Sequence, residues 1–218
     1  MVLQFTQSAL LIIDVQNDFC PPRPMQDGRL SAPGALAVPG GNEIVPVINR
    51  LSNLFEQQGA PVVATQDWHP AGHCSFASAS PSAATGQERG IWPDHCVQGS
   101  AGAELHPALD QHPIRLIIRK GFRSYLDSYS AFFENDHHTP TGLEGYLKVL
   151  GITQLYLTGL ATDYCVKYSA LDARRLGFTV SVIADAVRGV DYPAGSLQQA
   201  LEEMTAAGVQ FINLKDVT

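Results

Sequence analysis

The chain has 218 residues, 45% hydrophobic and 16% charged, which suits a globular protein with a substantial core and excludes extended disorder. Its 14 basic and 21 acidic side chains leave a formal charge of −7 with no Lys/Arg run, which argues against a nucleic-acid surface. The opening Met1-Val2-Leu3-Gln4-Phe5-Thr6-Gln7 lacks the basic flank of a signal peptide, and no apolar stretch approaches the ~20 residues of a membrane span. Cys20, Cys74, Cys96 and Cys165 are scattered without a Cys-x-x-Cys pair and read as thiols rather than a disulfide framework. These features predict a cytoplasmic protein with no membrane partner, folded as a single domain over residues 1–218.

In chain order, Ser8-Ala9-Leu10-Leu11-Ile12-Ile13-Asp14 is an unbroken apolar run ending on a carboxylate, the pattern of a strand buried on both faces. Cys20 to Pro39, rich in Pro, Gly and Ala, predicts a loop. Between Asn42 and Gln58 the apolar residues Ile44, Val45, Val47, Ile48, Leu51, Leu54 and Phe55 recur at helical spacing, and Gly59 stops the helix. A second strand, Pro61 to Asp67, again ends on a carboxylate. The segment Trp68–His112 has little periodicity, and loops that long in a compact domain usually carry function. Ile114 to Lys120 is a third strand, ending on a cation. After the irregular stretch Gly121–Thr141 come a short helix at Leu143–Leu150 and a strand at Leu155–Thr158. A helix follows, with Cys165 in its first turn, Thr162 as its N-cap and its end at Leu176. Phe178–Asp185 predicts a fifth strand, Ala194–Ala207 a helix and Val209–Ile212 a last short strand.

Strands alternating with helices predict an α/β fold with a parallel six-stranded sheet covered on both faces. In such sheets ligands bind beyond the carboxyl ends of the strands. Asp14, Asp67, Lys120 and the turn leading to Cys165 therefore belong on one edge.

That grouping suggests a chemistry. A cysteine needs a base for its proton, and a strand-end carboxylate such as Asp14 can serve where its surroundings raise its pKa. The Lys120 ammonium would hold the charge shared by Asp14 and Cys165. The amides of Ala161 and Cys165 would form an oxyanion hole, and the helix N-terminus would favour thiolate. A buried structural thiol is the alternative for Cys165 taken alone. Asp67 and His69, two apart in an extended segment, point to one side about 6.5 Å apart. With His73 and His95 further along, they offer a two-His, one-carboxylate set suited to Zn²⁺, Fe²⁺ or Mn²⁺. His106, His112, His137 and His138 receive no role. The dinucleotide, P-loop, Gly-x-Ser-x-Gly and His-Glu-x-x-His motifs are all absent.

The segments ALLIIDVQNDFC (9–20), PGALAVPGG (33–41), TQDWHPAGHCSF (65–76), WPDHCVQGSAGAELH (92–106), RKGFRSYLDSYSAFFEN (119–135), GLATDYCV (159–166) and DAVRG (185–189) carry a resemblance through most of the chain. Taken together they resemble the nicotinamidase/pyrazinamidase branch of the isochorismatase-like cysteine hydrolases. The resemblance implies an isochorismatase-like, Rossmann-like three-layer fold. It also implies conversion of nicotinamide to nicotinate and ammonia in NAD salvage, with pyrazinamide as a second substrate. Carried over residue by residue, it implies a catalytic set of Asp14, Lys120 and Cys165 and metal ligands Asp67, His69 and His95. Zinc is the usual ion of the family, with iron or manganese in some members. His73 matches a position that ligates metal in only some of them. Phe19 and Trp92 correspond to the aromatic walls of the nicotinamide slot, with Tyr129 beside them, and a non-prolyl cis peptide falls at Leu160–Ala161. The resemblance allows a homo-oligomer. This chain departs from the pattern by an insertion, RPMQDGRLSA (23–32), after the Asp14 strand, which leaves open how the pocket is lidded and how subunits pack.

Overall fold

The computed structural model describes residues 5–25, 27–79 and 90–217. Met1–Gln4 of the opening segment, Gln26 of the insertion and residues 80–89 of the long segment lie outside the described residues. Six strands form one all-parallel sheet: β1 (Ser8–Ile13), β2 (Val62–Asp67), β3 (Ile114–Lys120), β4 (Gln154–Leu160), β5 (Thr179–Arg188) and β6 (Gln210–Ile212), in the order β3-β2-β1-β4-β5-β6. The helices are α1 (Val45–Gln57), α2 (Leu143–Val149), α3 (Lys167–Arg175), α4 (Ser196–Ala206) and the short α5 (Leu214–Val217).

The unbroken apolar run of β1 is explained by its central place. Leu10 and Ile12 pack on one face with Ile48, Leu51 and Phe55 of α1, while Ala9, Leu11 and Ile13 pack on the other with Leu147, Ala170 and Met204 of α2, α3 and α4. Alternate side chains of a strand point to opposite faces, so a strand with helices on both sides has no polar face. Full burial of a Leu or Ile there contributes roughly 1.5–3 kcal/mol each. By contrast β3 lies at the sheet edge, and its burial alternates residue by residue until Lys120.

Several element ends differ from expectation. Helix α1 begins at Val45 rather than Asn42, because Gly40, at φ 69°, and the turns after it redirect the chain first. Pro46 lies in the first helical turn, where a missing amide hydrogen leaves no intrahelical bond unmade. Strand β5 runs on to Arg188 because its register with β4 shifts between Leu157 and Gly159, giving β5 a bulge. Asp185 sits within this irregular stretch, and its carboxylate accepts the amide of Leu214.

The order of strands reverses between β1 and β4, whose chains leave in sequence toward opposite sides of the sheet. That is the point where an open parallel sheet leaves a crevice at its carboxyl edge. Asp14 follows β1, Asp67 closes β2, Lys120 closes β3, and the Cys165 turn follows β4.

Candidate active site

The nucleophile turn begins with a close approach of two strands. Gly159, at φ 111°, lies so near β1 that an added Cβ would sit 2.0 Å from the Ile13 carbonyl oxygen. Only glycine fits, and β4 therefore leaves the sheet directly beside Asp14. The Leu160–Ala161 peptide is cis, as the resemblance implied. Thr162–Val166 then forms a single π-type turn, closed by the Val166 amide donating to the Ala161 carbonyl, before α3 starts at Lys167. The expected capping by Thr162 does not occur: Ala161 is the N-cap, and Thr162 is already inside the turn. π-type turns recur at functional sites because they shift one side chain out of the regular helical pattern.

Cys165 and its two expected partners come together. Lys120 Nζ lies 3.5 Å from Cys165 Sγ and 2.8 Å from Asp14 Oδ2, and it also donates to the Ser128 carbonyl at 2.9 Å and to Asp67 Oδ1. Asp14 is held from its other side, its Oδ1 accepting the Thr65 hydroxyl at 2.6 Å while its own amide donates to the same hydroxyl at 3.1 Å. All three members of the set are buried. Burial raises the Asp14 pKa against the pull of Lys120. Burial would drive the Lys120 proton off, but Asp14 and Asp67 hold it on, and the ammonium's pKa stands well above its ordinary value. Burial also pushes the Cys165 thiol well up, with only Lys120 opposing it. Burial thus works against the thiolate that the helix end favours and leaves the proton to a base such as Asp14.

The second constellation gathers around the other oxygen of Asp67. His69 Nε2 and His95 Nε2 stand 3.6 and 3.8 Å from Asp67 Oδ2. In each ring Nδ1 lies 2.8 Å from a backbone carbonyl, that of Gly121 for His69 and that of Pro93 for His95. A carbonyl can only accept, so Nδ1 carries the hydrogen and each neutral ring keeps its Nε2 lone pair facing Asp67. An imidazole whose Nδ1–H is tied to a backbone carbonyl and whose Nε2 is free is oriented as metal-ligating histidines usually are. The donor set therefore fits a divalent ion. Gly121, at φ 62°, makes room for this: an added Cβ would lie 2.5 Å from His69 Cε1. Burial lowers the His95 pKa, whereas Asp67 overrides burial at His69 and raises it. Burial would raise Asp67, but Lys120 and the two histidines hold its carboxyl well below the usual range.

His73 is arranged differently. It stacks on His69 with ring centroids 4.1 Å apart, but its Nδ1 is engaged by Ser75 Oγ at 2.8 Å and its Nε2 by the Leu126 carbonyl at 3.3 Å. It falls in a separate grouping with His69 and Asp127, and not with Asp67 and His95.

Between nucleophile and histidines lies a mostly apolar slot, bounded by Phe19, Leu36, Val38, Trp92, Tyr129, Tyr164 and Val190, with Asp67, His95, Asp127, Ala161 and Cys165 also lining it. All three expected aromatic residues are present. Trp92 Nε1 donates to Tyr129 Oη at 3.0 Å, and Trp92 meets Tyr164 edge to face, centroids 4.9 Å apart. Among the described residues, none from 23–32 reaches the slot. The insertion instead folds on itself through a Pro24–Leu30 bridge and a hydrogen bond that the Met25 amide donates to the Arg29 carbonyl at 2.7 Å.

Sequence reasoning did not single out Leu36, Val38, Asp127, Tyr164 or Val190 as lining, nor the buried braces behind the site. Gln16 is the clearest of these. Its amide nitrogen donates to the carbonyls of Asp67 and Ala103, both at 2.9 Å, and its oxygen accepts the Asp67 amide at 2.8 Å. Thr65 is a polar residue within the buried strand β2 and Gln16 one just beyond β1, where an unsatisfied polar group would be costly, and that was the available signal.

An isochorismatase domain profile matches residues 8–216. The chain belongs to the isochorismatase family. Within it, the chain is 47% identical to the nicotinamidase of Acinetobacter baylyi, over 98% of this chain and 96% of that protein. PnC1 from L. infantum, solved in complex with nicotinate, superposes with a TM-score of 0.81 at 37% identity, covering 100% of this chain and 97% of that one. The pyrazinamidase of Pyrococcus horikoshii, solved with zinc, gives a TM-score of 0.76 at 36% identity, covering 95% and 99%. The family's six-stranded parallel architecture is the one described above.

Proposed function

We propose that this chain is a nicotinamidase, a metal-dependent cysteine amidohydrolase that converts nicotinamide to nicotinate and ammonia in NAD salvage, and pyrazinamide to pyrazinoate. One observation carries the reading: Cys165, Asp67 and His95 open onto the same aromatic-walled slot, so a thiol nucleophile and a metal-ligand pair face one flat cavity. Small-molecule sites of this kind are apolar with a few convergent polar groups. The nicotinate and zinc held by related structures fit the same assignment. We take the enzyme to act in the cytoplasm, as a single domain that is free to form a homo-oligomer.

Asp14 takes the proton from Cys165 Sγ as the sulfur attacks the carboxamide carbon, and Lys120, between them, steadies the negative charge as it passes. The amides of Ala161 and Cys165 hold the tetrahedral oxyanion. The C–N bond then breaks, Asp14 gives its proton to the departing ammonia, and a thioester remains on Cys165. Asp14 next takes a proton from water, whose oxygen attacks the thioester carbon; the C–S bond breaks, Asp14 returns that proton to the Cys165 sulfur, and the product acid leaves and ionises to nicotinate. Phe19, Trp92 and Tyr129 keep the ring flat between apolar faces. A divalent ion on Asp67, His69 and His95, zinc in this proposal, supplies a Lewis-acidic anchor for the ring nitrogen.

Ammonia release by the purified holoenzyme from nicotinamide, pyrazinamide and a panel of ureido compounds, with isochorismate consumption followed separately, tests the reading. Turnover confined to the nicotinamide and pyrazinamide arms supports it. Turnover of another amide or of isochorismate without nicotinamide would replace it.

A further inference from the structure

We infer that Asp163 is a positioning residue that fastens the segment 189–196, one wall of the slot, to the nucleophile turn, and so governs substrate binding rather than the bond-breaking step. The inference rests on the nicotinamidase reading above and goes beyond its catalytic and metal-binding residues.

Asp163 stands two residues before Cys165 and is 2% exposed. Its carboxylate is satisfied by three neutral donors, two from the segment between β5 and α4 and one from Ser196, the first residue of α4. Oδ1 accepts the Val190 amide at 3.0 Å, and Oδ2 accepts the Asp191 amide at 2.8 Å and the Ser196 hydroxyl at 2.7 Å. Hydrogen bonds to an ionised acceptor are roughly twice as strong as neutral ones, which suits a carboxylate used as an anchor. Gly189 lets the segment come this close, because an added Cβ would lie 2.7 Å from Leu197 Cδ1 and 3.2 Å from Asp163 Oδ1.

The next residue repeats the connection, since the Tyr164 hydroxyl donates to the Tyr192 carbonyl. Asp191 carries it onward, its Oδ1 accepting the amides of Gly195 at 2.9 Å and Leu197 at 3.2 Å, at the start of α4. What the segment presents to the site is specific. Val190 lines the slot, and Tyr192 meets Trp92 with ring centroids 6.2 Å apart, on the wall that Trp92 and Tyr164 form. By contrast none of the hydrogen bonds of Asp14 or Lys120 involves Asp163. The carboxylate thus acts on the binding wall through the segment and makes no direct hydrogen bond to Asp14 or Lys120.

The test is steady-state kinetics of zinc-loaded holoenzyme with nicotinamide, alongside the rate of Cys165 alkylation by iodoacetamide, a small reagent that needs no ring contact. Asp163→Asn turns one acceptor into a donor facing other donors. The expected result is a KM raised about tenfold or more, kcat within about threefold, and an unchanged alkylation rate, a tenfold change being about 1.4 kcal/mol. Ser196→Ala, which removes one of the three donors, moves KM the same way by less, and Val190→Ala raises KM without Asp163 being touched. Should Asp163→Asn fail to fold, a raised KM in both of the other variants supports the inference and an unchanged KM in both overturns it. A fall in kcat or in alkylation rate at constant KM would make Asp163 a support of the nucleophile and overturn it too. Wild-type protein that releases no ammonia from nicotinamide would instead remove the functional reading, and this inference with it.

Discussion

Asp67 and Lys120 face each other in the β2–β3 register, each the last residue of its strand, and their side chains form a fully buried ion pair. Through it, the metal-ligand group and the nucleophile group share a residue, since Asp67 turns one oxygen to Lys120 and the other to His69 and His95. Lys120→Met would leave Asp14 without its buried cation and remove one of the partners of Asp67. Breaking a buried pair from one side costs about 3–5 kcal/mol. Denaturant unfolding should register a loss of that size, together with loss of ammonia release. A variant of wild-type stability would show that the two carboxylates find other partners.

Cys165→Ala removes the sulfur from a site whose other members remain paired with one another. Ammonia release should vanish while the melting temperature stays within a few degrees of wild type. Mass spectrometry of wild-type protein during turnover should find a nicotinoyl adduct on Cys165. An adduct on Cys20 or Cys74 instead would displace the assignment.

The pH profile follows from Asp14. The group works as a base in its ionised form, so activity is full above its folded pKa and lost as pH falls through it. Burial raises that pKa above its ordinary 3.8, so the acid limb of kcat/KM belongs above the usual carboxylate position. A limb at or below that position would mean that Asp14 is not the proton acceptor.

Chelation separates the metal's role from the fold's. Asp67, His69 and His95 hang from β2 and from loops already tied by backbone bonds, the Gly121 and Pro93 carbonyls among them. Apo protein should keep its circular dichroism spectrum while KM for nicotinamide rises, and elemental analysis of the holoenzyme should find one zinc per chain. An unchanged KM in verified apo protein would remove the ring-anchoring role.

Tyr129→Phe takes away the acceptor for Trp92 Nε1 and leaves a buried donor unpaired, at about 1–3 kcal/mol. Because Trp92 is a wall of the slot, KM should rise several-fold with kcat little changed. An unaltered KM would show that packing against Tyr164 alone holds the indole.

Much of this protein was determined by its sequence alone. The apolar runs before Asp14 and Asp67 demand strands covered on both faces, and alternation with helices makes the sheet parallel. A parallel sheet gathers its strand ends, which is why Asp14, Asp67, Lys120 and the Cys165 turn could be assigned to one edge. What only the tertiary structure decided depends on groups brought close from distant parts of the chain. The nearness of β1 and β4, which Gly159 permits, sets Asp14 beside Cys165, and burial there raises the pKa of the sulfur. Carbonyls at Gly121 and Pro93 orient His69 and His95, whereas Ser75 and Leu126 occupy both nitrogens of His73. Residue type and spacing carry no record of such partners, because desolvation and hydrogen-bond direction exist only once the chain has closed around the site.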